Sequence, residues 1–390
     1  MKKGYGLTEI IIIIVITSII SALATGMLIT KTYSTNEGYT YAQLTKDKNI
    51  QEFLNVYSKI ISSYYEDVDK TEIINSAING MTSYLNDTYT SFLDEDKANS
   101  LINDLNATYE GIGITIKDNV IVNVIESSPA YKAGLMAKDE IIEINGKLTQ
   151  DMTSEEIKDS IKSSSDGVSL KINRSGEVKE VKNIKTAVLD EPSISYNIID
   201  STNIGYLQIS KFSNNLGKQV DFALEQMNNI SGLIIDLRND TGGYLEEAYS
   251  VAELFLKKGS LVYSLVDKNN KITKYKDKTN EKTDYSIIIL INQNTASAAE
   301  ILTGALKDSY GAILVGKKSY GKGKVQHTYS LESGGLIKYT SSKWLRPNGE
   351  CIDTIGIEPD YNIENSIEEN EDGSITIIDN QLEKAKELLQ

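Results

Sequence analysis

The stretch GLIIDLRNDTGGYLEEAYSVAELFL, residues 232–256, decides the fold class of this chain. It opens with an apolar run, which is typical of a strand that is covered on both faces. The turn NDTGG follows at 239–243, and a helical pattern then runs from Leu245 to Leu256. A buried strand that leads through a tight turn into a helix predicts an α/β layer.

Strands and helices of the same kind lie on both sides of this stretch. The predicted strands are IGYLQI at 204–209, SIIILIN at 286–292 and AILVG at 312–316, and the predicted helices are KQVDFALEQM at 218–227 and SAAEILTGALK at 297–307. Ligands bind such sheets beyond the carboxyl ends of the strands. Two turns take that position, NDTGG and QNTAS (293–297). We therefore expect the functional site at these two turns.

Length, charge and rare residues narrow the function classes. A chain of 390 residues is long enough for two or three domains. A formal net charge of −15 argues against a nucleic-acid partner, because phosphate binding requires a concentrated field of Lys and Arg. The chain has one cysteine, Cys351, and one histidine, His327, which excludes an intramolecular disulfide and Cys-rich or His-rich metal sites. We expect no metal and no cofactor.

The N-terminus predicts a membrane anchor. Residues 1–31 hold a charged start and an apolar run about as long as a bilayer-spanning helix, and too long for a cleaved secretory signal. Lys2 and Lys3 favour a cytoplasmic N-terminus, although a lysine beyond the run weakens this bias. We therefore expect a single-pass protein of the cell membrane whose remaining domains are extracytoplasmic. The start KKGYGLTE (2–9) also resembles a prepilin signal cleaved after Gly4, which leaves a pilus-associated or secretion-associated envelope protein as an alternative.

Residues 32–106 are predicted to form a helical segment. Apolar side chains recur there at spacings of three and four, at Phe53, Tyr57, Ile60 and Ile61. Within the segment, a polar turn after Asp87 is expected to separate two helices.

Residues 107–188 resemble a PDZ domain. Short β-branched runs alternate with turns and two helical pieces. The resemblance rests on GIGI (111–114), on SSPAYKAGLMAKDEIIEINGK (127–147) and on a helix followed by a strand that ends at Arg174. It implies that an extended peptide adds a strand to the edge of the sheet. It also implies that backbone N–H groups of a loop bind the peptide's terminal carboxylate; the loop residues are Gly111, Ile112, Gly113 and Ile114.

Ser297 lies where a buried strand gives way to a helix. Its hydroxyl is therefore expected beside the free N–H groups and positive dipole of a helix N-terminus. The N–H of Ala298 can stabilise a developing oxyanion, and the pair Gly242 and Gly243 allows a second backbone donor to approach closely. However, SAAE also fits a capping box in which Ser297 is a purely structural N-cap and Glu300 its partner.

A serine nucleophile requires a base, and the residues alone leave two candidates. His327 is the only histidine available for a Ser-His-Asp arrangement. Lys322, between two glycines in SYGKGKVQ (319–326), can be pressed against another backbone, with Gln326 holding its amine. The lysine must lose about three pKa units to be neutral near pH 7, which costs about 4 kcal/mol and is within the reach of burial.

Several ordered motifs resemble those of the carboxyl-terminal processing peptidases, also called tail-specific proteases. They are GYLQISKFS (205–213), the opening stretch at 232–256, NQNTASAAEILTGALKD (292–308), VGKKSYGKGKVQ (315–326) and GIEPD (356–360). The resemblance extends over nearly the whole chain. It departs at Thr241, where the family often has a proline, and at NDTYTS (86–91), where the family has a Pro-His type turn. Neither departure removes a reacting group.

The resemblance implies a serine/lysine dyad. Ser297 is then the nucleophile, Lys322 the general base and Gln326 the partner that orients the lysine, while the backbones of Ala298 and Gly243 form the oxyanion hole. His327 then has no catalytic role, and Cys351 lacks the partners of a thiol nucleophile.

The expected fold is a multidomain α+β and α/β protein with an N-terminal transmembrane helix. After the helical segment and the PDZ domain come an α/β protease core with a mixed sheet at 189–363 and a C-terminal helical segment at 364–390. The predicted function is that of a membrane-anchored serine endopeptidase whose PDZ domain captures free, apolar C-termini of protein substrates. The family implies a homodimer formed through the terminal helical segments. A catalytically inert, membrane-tethered PDZ scaffold is the alternative.

Overall fold

The computed structural model describes residues 41–164, 166–279, 284–369 and 375–390. The chain divides into two compact units, Met1–Ile78 and Asn79–Gln390. The predicted anchor and the prepilin-like start lie outside the described residues. Within the described ranges, no helix combines the length and the apolar character needed to cross a membrane.

The described part of the first unit is helical, as the apolar spacing predicts. Its elements are α1 (Tyr41–Leu44), α2 (Lys48–Ser63) and the first part of α3 (Lys70–Tyr84). Asp47 caps α2, because its carboxylate accepts hydrogen bonds from the N–H groups of Asn49 at 2.8 Å and Ile50 at 3.4 Å. No residue of α2 is buried, so its apolar stripe is open to solvent.

The second unit begins with the end of α3, a short strand and a helix. The strand is β1 (Ser91–Leu93) and the helix is α4 (Glu95–Asn106). The predicted all-helical segment 32–106 is thus interrupted by one strand. The turn that starts at Asp87 ends α3, as expected, but it leads directly into β1 rather than into a second helix.

A six-stranded antiparallel sheet forms the region that resembles a PDZ domain. Its elements are β2 (Thr108–Gly111), β3 (Ile114–Lys117), β4 (Val120–Val124), α5 (Pro129–Lys132), β5 (Glu140–Ile144), β6 (Lys147–Leu148), α6 (Ser154–Lys162), β7 (Val168–Arg174), β8 (Glu177–Ile184) and β9 (Ala187–Asp190). The strand order is β3-β4-β5-β7-β8, with β6 paired to β5 and β2 paired to β9. Among the described strands β3 pairs only with β4, so one edge of this sheet is free.

The protease core is built on a six-stranded mixed sheet, as predicted. Its elements, and those that lie between them in the chain, are β10 (Ile194–Ile198), β11 (Ile204–Ile209), α7 (Leu216–Gln226), β12 (Gly232–Asp236), α8 (Leu245–Ala252), β13 (Leu261–Asp267), β14 (Ile272–Lys276), β15 (Ser286–Ile291), α9 (Ala298–Ala305), a π-helical turn (Leu306–Tyr310), β16 (Ile313–Gly316), β17 (Lys324–Ser330), β18 (Leu336–Leu345) and β19 (Tyr361–Asn362). The order is β10-β11-β12-β15-β16-β19. β10 is antiparallel to β11, and the other pairs are parallel. Every residue of β12 is buried, which explains its apolar sequence.

A second, antiparallel sheet continues the chain beyond the core. Its order is β1-β18-β13-β14, with β17 also paired to β18. Because β17 begins two residues after Lys322, this sheet fixes one side of the loop that carries the lysine.

The C-terminal segment differs from the helical prediction for 364–390. A hairpin of β20 (Ser366–Glu369) and β21 (Ile375–Ile378) comes first, and only α10 (Asn380–Leu389) is helical. The β-branched run at 375–378 favours a strand, which accounts for the difference. α10 is held to the core because Arg238 donates to both carboxylate oxygens of Asp379 at 2.8 Å and also pairs with Asp236.

Candidate active site

Ser297 lies at the carboxyl end of β15, immediately before α9. Its backbone has φ 58° and ψ −118°, whereas a normal helix N-cap is extended. A non-glycine residue in this region costs of order 1–3 kcal/mol, and such strain is concentrated at functional sites. The side chain is half-buried. The backbone at Ser297 therefore departs from that of a purely structural cap.

The glycine turn after β12 lies against Ser297. Gly242 has φ +95°, and a Cβ placed on it would be 2.8 Å from the nitrogen of Ala298 and 2.9 Å from Cβ of Ser297. Gly243 has φ +151°, and a Cβ on it would be 2.3 Å from the carbonyl oxygen of Phe212. Only glycine fits at either position. The turn thus adjoins the place where the sequence predicts an oxyanion hole, with Gly242 as the closer contact to Ser297.

Glu300 joins the serine segment to the lysine loop. Its carboxylate is fully buried, and Oε2 accepts hydrogen bonds from the backbone N–H groups of Ser297 and Lys322, both at 2.9 Å. Oε1 accepts from the hydroxyl of Ser319 at 2.6 Å and from the N–H of Gly321 at 2.7 Å. Burial raises the pKa of Glu300, and these four hydrogen bonds oppose the rise. The sequence predicted Glu300 only as the partner in a capping box.

The environment of the Lys322 amine lowers its pKa, which is the direction that a general base requires. The side chain is half-buried, and burial is the largest cause that lowers its pKa below 10.5. The positive charge of Lys338 lowers the pKa further, and the charge of Glu300 opposes this. The indole N–H of Trp344 donates to the carbonyl oxygen of Lys322 at 2.9 Å and helps to fix the loop.

Tyr89 contacts this lysine, which the sequence did not predict. Nζ of Lys322 lies over the Tyr89 ring, 5.1 Å from its centroid, and Nζ of Lys324 lies 5.6 Å from the same centroid. Asp87 anchors the turn by accepting from Thr90 Oγ1 at 2.7 Å and from Lys324 Nζ at 3.4 Å. Burial acts to raise the pKa of Asp87, but hydrogen bonds and the charge of Lys324 outweigh it and lower the pKa to about 2.

The predicted dyad and its amide partner are not joined by hydrogen bonds in the described structure. Nζ of Lys322 is hydrogen-bonded neither to Oγ of Ser297 nor to Gln326. The Gln326 amide donates instead to Thr340 Oγ1 at 3.5 Å. Gln326 and Thr340 are register partners on β17 and β18, beside an irregularity in the register between Val325 and Gln326.

His327, the other candidate base, is exposed on β17. Its ring centroid lies 6.4 Å from that of Tyr339 on the neighbouring strand. In the described ranges, no group of three or more His, Cys, Asp or Glu side chains is arranged to hold a metal ion.

The predicted peptide-binding residues run from Gly111, the last residue of β2, to Ile114, the first residue of the free edge strand β3. Gly111, Ile112 and Gly113 are buried and Ile114 is half-buried. The carbonyl oxygens of Ile112 and Gly113 accept N–H donors of the same domain, at 2.8 Å and 2.9 Å. These two carbonyl groups are thus used by the fold.

Comparison with known proteins adds independent findings. Residues 203–363 match the family model "Peptidase family S41", residues 102–173 match "PDZ domain", and residues 22–97 match "Activating protease CtpB N-terminal domain". A Staphylococcus aureus (strain COL) protein named "Probable CtpA-like serine protease" is 33% identical over 373 residues, covering 93% of this chain and 73% of the relative. The "Carboxy-terminal processing protease CtpA" of Bacillus subtilis (strain 168) is 32% identical over 327 residues, covering 82% of this chain and 70% of the relative.

A solved structure from Bacteroides fragilis NCTC 9343, described as an S41 protease, has a similar fold. It matches with a TM-score of 0.50 at 16% identity, covering 77% of this chain and 91% of that chain. At this identity the match speaks for the fold alone.

Fold, site and sequence similarity together define a serine-type peptidase that carries a PDZ domain. Because the two relatives exceed 30% identity over more than two thirds of their own length, the chain belongs to the carboxyl-terminal processing proteases of peptidase family S41.

Proposed function

We propose that this protein is a membrane-anchored endopeptidase that binds free C-termini of protein substrates through its PDZ domain and cleaves them with a Ser297–Lys322 dyad. The observation that carries the proposal is the shared carboxylate oxygen of Glu300. Since the N–H groups of Ser297 and Lys322 both bond to it at 2.9 Å, their two nitrogens lie at most twice that distance apart. The backbones of a strained serine and of a lysine of lowered pKa thus lie close together on neighbouring loops.

In the proposed reaction, neutral Lys322 accepts the hydroxyl proton of Ser297 while Oγ bonds to the scissile carbonyl carbon. The negative charge on the carbonyl oxygen is stabilised by the N–H groups of Ala298 and Gly243. The C–N bond then breaks, and the lysine ammonium gives its proton to the leaving amine. The neutral Lys322 amine then takes a proton from water, whose oxygen bonds to the acyl carbon. As the ester bond to Ser297 breaks, the lysine ammonium returns the proton to Oγ.

The lysine side chain must move before this proton transfer. In the described structure its amine lies over the Tyr89 ring and is not hydrogen-bonded to Ser297 Oγ. Catalytic hydrogen bonds often form only when substrate is bound. We propose that Lys322 turns away from Tyr89 toward Ser297, and that Gln326 then leaves Thr340 to hold the amine.

Recognition of a free C-terminus is testable with matched peptides. The free edge of β3 beside the glycine loop supports capture of an extended tail by strand addition. A protein substrate with an apolar C-terminus is therefore expected to lose about tenfold or more in kcat/KM when its terminal carboxylate is amidated, because a charge-assisted hydrogen bond contributes about 1.5–3 kcal/mol. Equal cleavage of the free and amidated substrates by the full-length chain would argue against tail recognition.

The Tyr89 ring is expected to set the pH at which the enzyme becomes active. An aromatic face stabilises an ammonium by about 0.5–2 kcal/mol, which raises its pKa by about half a unit or more. Tyr89→Leu should therefore move the rising limb of the kcat/KM profile to lower pH by about half a unit to one unit. Tyr89→Phe keeps the ring and is the matched control. If the rising limb of kcat/KM lies at the same pH in the wild type and in both variants, the Tyr89 ring does not affect the pKa of Lys322.

The proposal places the catalytic part outside the cytoplasm, with residues 1–31 as its anchor. The apolar run and the lysines before it support this orientation. A homodimer through the terminal helical segments is also part of the proposal. It is supported by the exposure of apolar side chains on α2, of which Phe53 is 44% exposed and Val56 54% exposed.

A further inference from the structure

Asp240, in the turn beside Ser297, has a fully buried carboxyl group that the reaction above does not use. Its Oδ1 accepts a hydrogen bond from the N–H of Gly242 at 2.8 Å, and its backbone carbonyl accepts from the N–H of Ala296 at 2.9 Å. Asp240 thus ties the glycine turn to the segment that carries the serine. Its other carboxyl oxygen, Oδ2, is buried without any hydrogen-bond partner.

An ionised Asp240 would leave a charged oxygen unpaired in the interior, which is costly. Protonation removes the charge and still leaves Oδ1 as the acceptor for Gly242. Burial accordingly raises the pKa of Asp240 to about 8, although the Gly242 hydrogen bond and the charge of Lys211 act in the opposite direction. The group changes charge near neutral pH.

The charged groups near Asp240 form ion pairs or hydrogen bonds with other residues. Residues 241–243 and 295–298 carry no titratable side chain. Lys211, on the neighbouring loop, forms an ion pair with Asp104. Arg238, on the same segment as Asp240, pairs with Asp236 and Asp379. Beyond Ser297, the buried Glu300 is bound to the serine and lysine backbones, and the amine of Lys322 lies over Tyr89.

We propose that Asp240 is a positioning residue that must be neutral for catalysis: its uncharged carboxyl holds the Gly242–Gly243 turn in place for the oxyanion. The inference rests on the proposed function, since it concerns the same oxyanion. A carboxylate here would repel the negative charge that develops at the N–H groups of Ala298 and Gly243. An asparagine is isosteric with the neutral acid and keeps an oxygen acceptor for Gly242 at every pH.

The first test compares pH profiles of kcat/KM for the full-length wild type and Asp240→Asn. Wild type is expected to lose activity above about pH 8, by about tenfold per pH unit, because only the protonated fraction is competent. The Asn variant should keep the rising limb set by Lys322 and show no falling limb. A falling limb in both proteins, or an Asn variant inactive at every pH, would overturn the proposal. Asp277→Asn, at another buried carboxyl with an unpartnered Oδ2, should retain the wild-type profile.

The second test does not depend on activity. In the folded state Asp240 keeps its proton up to about pH 8, whereas its ordinary pKa is 3.8. The contribution of Asp240 to folding stability is therefore fully present below pH 3.8 and is lost as the pH rises through about 8. The test compares the Ser297→Ala variant with the double variant Ser297→Ala, Asp240→Asn. Between pH 4 and 8 the midpoint temperature of thermal unfolding should fall more in the single variant than in the double variant. Equal slopes would overturn the buried neutral acid. If the pH dependence of the thermal midpoint differs as expected, but neither the wild type nor Asp240→Asn cleaves substrate, the proposed function fails instead.

Discussion

Ser297→Ala is expected to reduce kcat/KM for an apolar-tailed protein substrate by at least about 10⁴-fold. The hydroxyl oxygen is the atom proposed to bond to the carbonyl carbon, and loss of a nucleophile removes most catalysis while oxyanion stabilisation and binding remain. Cleavage by the full-length chain, followed by mass spectrometry of the products, measures this loss.

A second variant separates lost chemistry from lost structure. Glycine accepts the positive φ of 58° at this position without strain. Ser297→Gly should therefore be as inactive as the alanine variant and should unfold at a temperature no lower than wild type. Substantial cleavage by either variant would remove Ser297 from the mechanism.

Lys322→Met is expected to reduce kcat/KM by about 10³-fold to 10⁴-fold. Methionine fills a similar volume without a basic atom, and a positioned general base contributes up to about 10⁴. Lys322→Arg should be equally inactive, because a guanidinium stays protonated and cannot accept the serine proton. In wild type, the rising limb of the pH profile should lie below pH 10.5, since burial and Lys338 lower the lysine pKa.

Lys322→Met and Lys322→Arg are expected to fold like the wild type. Both variants keep the backbone N–H that binds Glu300, so the loop should be retained. Thermal unfolding within a few degrees of wild type verifies this. If Lys322→Met kept more than about a tenth of wild-type activity, another group would be the base, and His327→Ala would then be the next variant to assay.

The strands of the parallel core could be predicted from the sequence because they are covered on both faces and are therefore apolar throughout. Continuous apolar runs predicted β12, β15 and β16 correctly, and the positions of Ser297 and the glycine turn followed from the ends of those strands. The C-terminal hairpin was missed because its β-branched residues lie in a short exposed pair rather than in a buried sheet.

The site residues that were missed depend on contacts between distant segments. Tyr89 lies close to Lys322 because β1 pairs with β18, a strand more than two hundred residues further along the chain. Glu300 has the spacing of a capping box, and this spacing says nothing about its bonds to Gly321 and Lys322. The predicted role of Gln326 as partner of Lys322 stays a prediction, because its amide donates to Thr340 Oγ1 in the described structure.

The single carboxylate of Glu300 makes the reactive groups interdependent. If the loop at 319–322 shifts, Glu300 loses its bonds to that loop, and the restraint on the backbone of Ser297 weakens at the same moment. The backbones of Ser297 and of the lysine loop are therefore expected to shift together rather than separately. In the proposed endopeptidase, a displaced lysine loop would loosen the nucleophile as well as the base.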